Sequence, residues 1–270
     1  MAKRDSYEPG TPNWIDLMTT DVAGARAFYG QLFGWAVEDQ LDPQSGAVVY
    51  GMRRLGDCDV AGVGEMGPGM AEAGMPPMWN SYVSVESVDH TLEQVVAAGG
   101  SVVMPAMDIF ESGRMAVISD PVGAVISIWE PRAHIGATLV NEPGSYTWNE
   151  LMSSDMAASK AFLAAVFGWD SHDMDMGHMV YTGFSLSGTG ADEAIAGGMA
   201  PPMPGLPNCW SVYFSVADCD ATVAAAVGLG ATVLAGPMDI EPGRMATLSD
   251  PQGAVFNVIQ SRAGAGESGS

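Results

Sequence analysis

The chain has 270 residues, which exceeds the usual size of one domain, so we expect two domains that each bury a core of their own. A formal net charge of −22 repels phosphate backbones and anionic lipid headgroups. This excludes nucleic acid and membrane surfaces as expected partners and favours an uncharged or cationic small molecule. The three cysteines have no CxxC spacing, the N-terminus is polar and no apolar run reaches membrane-spanning length. Together these features predict a cytoplasmic protein without a disulfide framework or a zinc knuckle.

The first half begins with a strand over residues 14–18 and a helix over 22–33, which Thr20 or Asp21 caps and Gly34 ends. A second helix over 88–98 closes at two glycines. Short apolar stretches bounded by turn residues predict the remaining strands, over residues 48–53, 60–63, 82–85, 101–104, 114–118 and 125–129.

The second half repeats the first in order. Residues 14–21 match 148–155, and residues 79–85 match 210–216. The Gly-Arg-Met-Ala and Ser-Asp-Pro runs of the first half also return in the second. Because identities in one order cannot come from shared composition, the chain is predicted to be a tandem duplication. Its parts are a first domain over 1–132, a linker over 133–144, a second domain over 145–262 and a flexible tail over 263–270.

Two motifs of the first half carry a resemblance to a known superfamily: Asp21…Ala27-Phe28-Tyr29…Leu32-Phe33-Gly34-Trp35 and Asp120-Pro121…Gly123. The chain resembles the vicinal-oxygen-chelate superfamily of glyoxalases, bleomycin-resistance proteins and dioxygenases. More narrowly, it resembles two-domain hydroxylase-like or glyoxalase-like members, which include a mycobacterial secreted antigen. The resemblance implies an α+β fold of two tandem domains, each a pair of βαβββ units that forms a half-open, barrel-like cup.

Enzymes of that superfamily hold a divalent metal at the bottom of the cup with four ligands. Counting from the matched motifs places the ligand positions of the two halves at Trp14 and Trp148, Tyr50 and Tyr181, Asn80 and Ser211, and Ser127 and Asn257. An indole cannot ligate a metal, and none of the eight residues is His, Asp, Glu or Cys. His178, on a predicted cup strand, is a lone imidazole. We therefore expect neither a metal nor another cofactor, and we expect the eight side chains to line a ligand site instead.

Carboxylates share the predicted cup faces. Strand alternation places Asp16 with Trp14, and Glu150 with Trp148. In a partly apolar cup each carboxylate could act as a general base or anchor a ligand's hydroxyl or amine. The structural alternative is an ion pair that ties strands together, and the matched arginines predicted to orient the carboxylates are Arg114 and Arg244. Tyr hydroxyls are also expected on these faces, from Tyr82 and Tyr213.

The Gly/Pro/Met-rich segments 62–77 and 183–207 are predicted to be mobile lids. Their Met66, Met70, Met75, Met78, Met199 and Met203 would suit a bulky apolar ligand. The resulting hypothesis is a metal-independent protein that holds a hydrophobic or aromatic small molecule in one or both cups, as a monomeric pseudo-dimer or a homodimer, in antibiotic resistance or secondary metabolism. The alternatives are a glyoxalase-like lyase or a hydroxylase or oxygenase in the same cup, and a purely structural pseudo-dimer.

Overall fold

A computed structural model describes residues 3–41, 48–177, 179–203 and 205–262. The predictions for His178 and for the tail over 263–270 lie outside these residues. Half one contains β1 (Pro12–Thr19), α1 (Val22–Phe33), β2 (Ala36–Leu41), β3 (Val48–Leu55), β4 (Cys58–Glu65), α2 (Pro68–Glu72), β5 (Met78–Ser84), α3 (Val88–Ala97), β6 (Ser101–Ile109), β7 (Gly113–Ser119) and β8 (Val125–Pro131). Half two contains β9 (Tyr146–Met152), α4 (Met156–Phe167), β10 (Trp169–Asp175), β11 (Val180–Leu186), β12 (Ala196–Met199), β13 (Cys209–Ser215), α5 (Cys219–Gly228), β14 (Thr232–Ile240), β15 (Gly243–Ser249) and β16 (Val255–Ser261).

Each half forms one eight-stranded sheet, and the two sheets have the same strand order. The order in half one is β2-β3-β4-β1-β5-β8-β7-β6, and in half two it is β10-β11-β12-β9-β13-β16-β15-β14. Two strand-helix-strand-strand-strand units therefore meet where β1 pairs antiparallel with β5 and where β9 pairs with β13. The predicted α+β class with two tandem domains of paired βαβββ units is confirmed. None of the helices in the described part of the chain is long and apolar enough to cross a membrane.

The helix that follows the first strand is bounded in both halves as the sequence indicates. Asp21 accepts a hydrogen bond from the Gly24 N–H at 2.8 Å, and Asp155 accepts one from Ala158 at 3.0 Å. At the other end, Gly34 has φ +73° and Gly168 has φ +69°, left-handed values that suit glycine.

The predicted lids are wrong in part, because both segments contain sheet. Residues 62–65 belong to β4, residues 183–186 to β11, and β12 lies farther along the second segment. Two glycines in these segments lie in strands, where they allow a tyrosine side chain to lie directly over the backbone. A Cβ atom at Gly62 would lie 1.7 Å from the Tyr50 hydroxyl oxygen, and one at Gly197 would lie 1.9 Å from that of Tyr181. Only glycine lets these strands pass beneath the tyrosines.

The two halves pack through the helix-bearing faces of their sheets. One core joins the first unit of half one to the second unit of half two, and another joins the remaining two units. Buried hydrogen bonds cross the contact: the Tyr29 hydroxyl donates to Asp250 at 3.0 Å, and the Ser159 hydroxyl donates to Asp120 at 2.6 Å. The opposite faces of the sheets carry the candidate sites. We call the face with Asp16 cup one and the face with Glu150 cup two.

Candidate functional site

The floor of cup one is a carboxylate on β1 that is surrounded by donors from two other strands, β3 and β5. Asp16 lies opposite Asn80 in the sheet, and its Oδ1 accepts a hydrogen bond from the Asn80 amide at 2.8 Å. Its Oδ2 accepts from the hydroxyls of Tyr82 at 2.9 Å and Tyr50 at 3.0 Å. The Trp14 indole donates to the Tyr50 oxygen at 3.1 Å. Asp16, only 2% exposed, is thus held by three direct donors.

Cup two repeats the arrangement with one donor fewer. The hydroxyls of Tyr213 and Tyr181 donate to the two oxygens of Glu150, at 3.0 and 3.1 Å, and the Trp148 indole donates to Tyr181 at 3.0 Å. Ser211 replaces Asn80 but does not donate to the carboxylate. Instead its oxygen accepts from the Asn257 amide at 2.7 Å. Glu150 therefore keeps more of its acceptor capacity free than Asp16 does, since a carboxylate can accept about four hydrogen bonds.

Burial governs the protonation equilibria of both clusters. It raises the pKa of Asp16 and the pKa of Glu150, and the hydrogen bonds from the neighbouring side chains oppose that rise. Burial and the adjacent carboxylate raise the pKa of Tyr82 and of Tyr213 well above the usual value. The tyrosines therefore keep their protons and act as donors.

The predicted role of the arginines is wrong. Arg114 contacts Asp89 at 2.9 Å and Asp108 at 3.4 Å. Arg244 contacts Asp220 at 2.6 Å and Asp239 at 3.3 Å. Strand alternation explains the error: Arg114 shares a face of β7 with residues 116 and 118, which are fully buried in the core between the halves. These guanidiniums lie on the helix side of their sheets, so they do not orient the cup carboxylates.

Cup one is covered by His134, which follows β8 in the chain. The His134 ring meets the Trp14 ring edge-on, with the centroids 4.6 Å apart, and the Trp129 indole donates to the His134 carbonyl at 2.8 Å. Burial lowers the pKa of His134 to about 4, so the ring is neutral near pH 7. As a result Trp14 is only 5% exposed, whereas its counterpart Trp148 is half-buried.

Cup two also contains a thiol that the sequence analysis did not single out. Cys209 lies two residues before Ser211 and therefore shares its face, in the position that Met78 has in half one. Burial and the nearby Glu150 raise the pKa of this thiol. Strand alternation alone would have placed Cys209 in the cup.

The six methionines assigned to the lids do not form one lining. Met66 is buried, Met75 and Met203 are exposed, and Met70 is half-buried. Met78 and Met199 belong to strands β5 and β12. Two surface cavities, of about 270 and about 590 Å³, lie outside both cups, the smaller beside Arg244 and the larger between α1 and β2.

The side chains at the expected metal-ligand positions do not fit a catalytic divalent ion. Ser127 and Asn257 lie beside Tyr82 and Tyr213 across the parallel strand pairs, so the counted positions do converge at the cup floors. They bring indole, phenol, amide and hydroxyl groups, with one carboxylate in each cup. Among the described residues, no three His, Cys, Asp or Glu side chains come close enough to hold a metal ion together.

Comparison with known proteins fixes the family. The family model described as "Glyoxalase/Bleomycin resistance protein/Dioxygenase superfamily" matches residues 11–128 and 134–258. The chain belongs to this superfamily. The Mycobacterium bovis protein "Putative glyoxylase CFP32" is 48% identical over 96% of this chain and 98% of its own length. The Streptomyces peucetius "Anthracycline biosynthesis protein DnrV" is 35% identical over 96% of each chain.

Solved structures of other proteins share the fold at low identity. The Mn(II)-bound glyoxalase from Novosphingobium aromaticivorans has a TM-score of 0.63 at 15% identity, covering 93% of this chain and 82% of its own. Homoprotocatechuate 2,3-dioxygenase from Arthrobacter globiformis has a TM-score of 0.64 at 12% identity, covering 95% and 81%. At these identities the likeness concerns the fold alone.

Proposed function

We propose that the protein binds a small aromatic molecule in cup two, without a metal, and that Glu150 anchors a hydroxyl or amine of that ligand. The observation that carries the proposal is the asymmetry of the two carboxylates. Glu150 has two direct donors and borders a half-buried tryptophan, whereas Asp16 has three donors and lies beneath a tryptophan that His134 covers. A buried carboxylate with free acceptor positions gains most from a ligand that donates to it.

The wall of cup two suits a planar apolar body. Tyr213, Met245 and Ile259 form one apolar cluster, and Trp148 packs against it. An indole face can stack on an aromatic ring, and a methionine adapts to its outline. The net charge of −22 adds attraction for a ligand that carries an amine.

The relatives narrow the chemical class. A 35% identical relative is named for anthracycline biosynthesis, and anthracyclines are planar, polycyclic and rich in hydroxyls. We extend that class to this chain as part of the proposal, together with a role in secondary metabolism. Doxorubicin, a fluorescent anthracycline with an amino sugar, is a practical probe.

The test is a titration of doxorubicin with protein, followed by the fluorescence of the ligand. We expect Glu150→Gln to weaken binding by about tenfold or more, because it removes a charge-assisted hydrogen bond. The matched change in cup one, Asp16→Asn, should leave binding unaffected. Circular dichroism checks that both variants fold, and Trp148→Leu supplies a second variant of cup two that should also bind weakly. Equal binding by wild type and Glu150→Gln would contradict the proposal.

An enzyme that acts in the same cup is the second candidate, and one observation favours it. Burial raises the pKa of Glu150, as a general base that works near neutral pH requires. Mass spectrometry of the ligand after prolonged incubation separates the candidates. An unchanged ligand supports the binding protein. If a product forms and its formation requires Glu150, the protein is an enzyme such as a lyase or hydroxylase, and not only a binding protein.

A further inference from the structure

Arg53 on β3 is a buried cation with no hydrogen-bond or ion-pair partner in the described parts of the chain. Its side chain is 1% exposed, and no nitrogen of its guanidinium has a hydrogen-bond partner among the described residues. No carboxylate of those residues forms an ion pair with it, although the chain has 32 acidic and only 10 basic residues. Asp39 attracts this charge without pairing with it. A buried charge that no hydrogen bond or ion pair compensates is unfavourable, so we expect a further group to stabilise it.

The equivalent position in half two contains an uncharged side chain. The residue equivalent to Arg53 is Phe184, which is equally buried. Lys160 of α4 forms a direct ion pair with Asp173, and the Thr182 hydroxyl donates to the same carboxylate at 2.7 Å. In half two this region, formed by α4, β10 and β11, therefore contains a direct ion pair next to a buried aromatic ring.

The equivalent residues of half one, on α1, β2 and β3, differ in ways that affect each of these interactions. Arg26 replaces Lys160 and lies 3.9 Å from Asp39, the counterpart of Asp173. Gly51 replaces Thr182, and a Cβ atom there would lie only 2.7 Å from an Arg53 guanidinium nitrogen. The glycine therefore makes room for the guanidinium. The ion pair is looser, a hydroxyl is lost, and a second cation is introduced.

Arg53 and Arg26 lie close enough for their charges to interact. Arg53 lies opposite Val37 in the sheet, and Asp39 lies opposite Gly51, so all four residues are on the α1 side of β2 and β3. Val37 and Arg26 line the cavity of about 590 Å³ between α1 and β2, and Arg53, opposite Val37, is buried below that lining and is not part of it. Burial, with a smaller contribution from Arg26, lowers the pKa of Arg53 to about 10, and the nearby Asp39 and Tyr50 oppose that shift. The guanidinium is therefore charged at neutral pH.

We propose that Arg53 and Arg26 form a binding site for a small oxoanion, a phosphate or carboxylate group, in the cleft between α1 and β2 over Gly51. This site is separate from both cups and goes beyond the ligand proposed for cup two. An oxoanion would supply the acceptors that the guanidinium of Arg53 lacks, in the bidentate geometry that arginine favours. The exposed Arg26 would close over the anion from the solvent side.

The experiment compares thermal unfolding of the full chain in sodium phosphate and in sodium chloride at equal ionic strength. Phosphate should raise the midpoint temperature of unfolding of wild type more than that of Arg53→Met. Phosphate also stabilises proteins in general because it is excluded from their surfaces, but this effect is the same for both proteins and cancels when the two increases are compared. Calorimetric titration with phosphate should show affinity lower by about tenfold or more in Arg53→Met.

Two further variants keep the proposal open to refutation if Arg53→Met does not fold. Arg26→Met changes an exposed side chain and should weaken phosphate binding several-fold, whereas Lys160→Met, its match in half two, should leave binding unchanged. Gly51→Thr, which restores the side chain of half two, should abolish binding because it displaces the guanidinium. Equal phosphate binding by wild type, Arg53→Met and Arg26→Met would overturn the site, as would equal responses of wild type to phosphate and chloride.

Discussion

The contact between the halves can be tested at its centre, where a polar pair faces a matched apolar pair. The Ser81 hydroxyl donates to Asn149 Oδ1 at 2.6 Å across the halves, and both residues are at most 2% exposed. Their counterparts in the repeat are Val212 and Ile15, which are fully buried. Ser81→Val removes the donor and leaves a buried amide oxygen without a partner, which should lower the free energy of unfolding by about 1–3 kcal/mol.

The second variant, Ser81→Val with Asn149→Ile, converts the polar pair into the apolar pair that the repeat already contains. It should recover part of the loss, because it avoids the unsatisfied amide oxygen. The recovery is incomplete because Asn149 Nδ2 also donates to the buried Tyr146 hydroxyl at 2.8 Å, and Asn149→Ile removes that hydrogen bond. Equilibrium urea unfolding monitored by tryptophan fluorescence measures both changes. The packing of the two helix-bearing sheet faces against each other is refuted if Ser81→Val is as stable as wild type.

Three further predictions concern the cups and the surface around them. Burial raises the folded-state pKa of Glu150 above its ordinary value of 4.5. Wild type should therefore gain stability relative to Glu150→Gln as the pH falls from 7 towards 4.5, which urea unfolding across that pH range measures. A stability difference that does not change with pH would contradict the raised pKa. Arg244→Gln should leave doxorubicin binding unchanged, and it should shift the unfolding midpoint only slightly because the ion pairs of Arg244 are largely exposed. Weaker doxorubicin binding by this variant would show that Arg244 does act on the ligand site of cup two. A maleimide should label Cys209 in preference to the buried Cys58 and Cys219, and doxorubicin should slow that labelling; labelling at an unchanged rate would place the ligand outside cup two.

Much of the fold follows from local signals that the two halves share. Asp21 and Gly34 determined the bounds of α1 because a side-chain cap and a left-handed residue are local requirements, and the same pair recurs at Asp155 and Gly168. The repeat then extended every assignment to the second half. Strand alternation also placed Asp16 and Glu150 on the faces where the structure has them. The edge strands β2 and β10 were missed because their sequences, with acidic residues on both faces, show no alternation.

The details of the site depend on contacts that no local pattern contains. His134 reaches cup one from the segment after β8, and its position depends on how that segment crosses the first half. The glycines at 62 and 197 looked like loop residues because the tyrosines that pass over them come from another strand. The matched arginines were assigned to the wrong face because their pairing with the carboxylates was inferred from repetition, whereas alternation from Ala116 already opposed it.

We propose that a carboxylate held by tyrosines, in place of a metal centre, forms the binding floor of cup two. The most direct measurement is a crystal structure of the protein grown with doxorubicin and manganese chloride. We expect the planar ring against Trp148, with a ligand donor within about 3.2 Å of the Glu150 carboxylate. A manganese ion held by protein side chains at the floor of either cup, or a ligand bound away from Glu150, would contradict the claim.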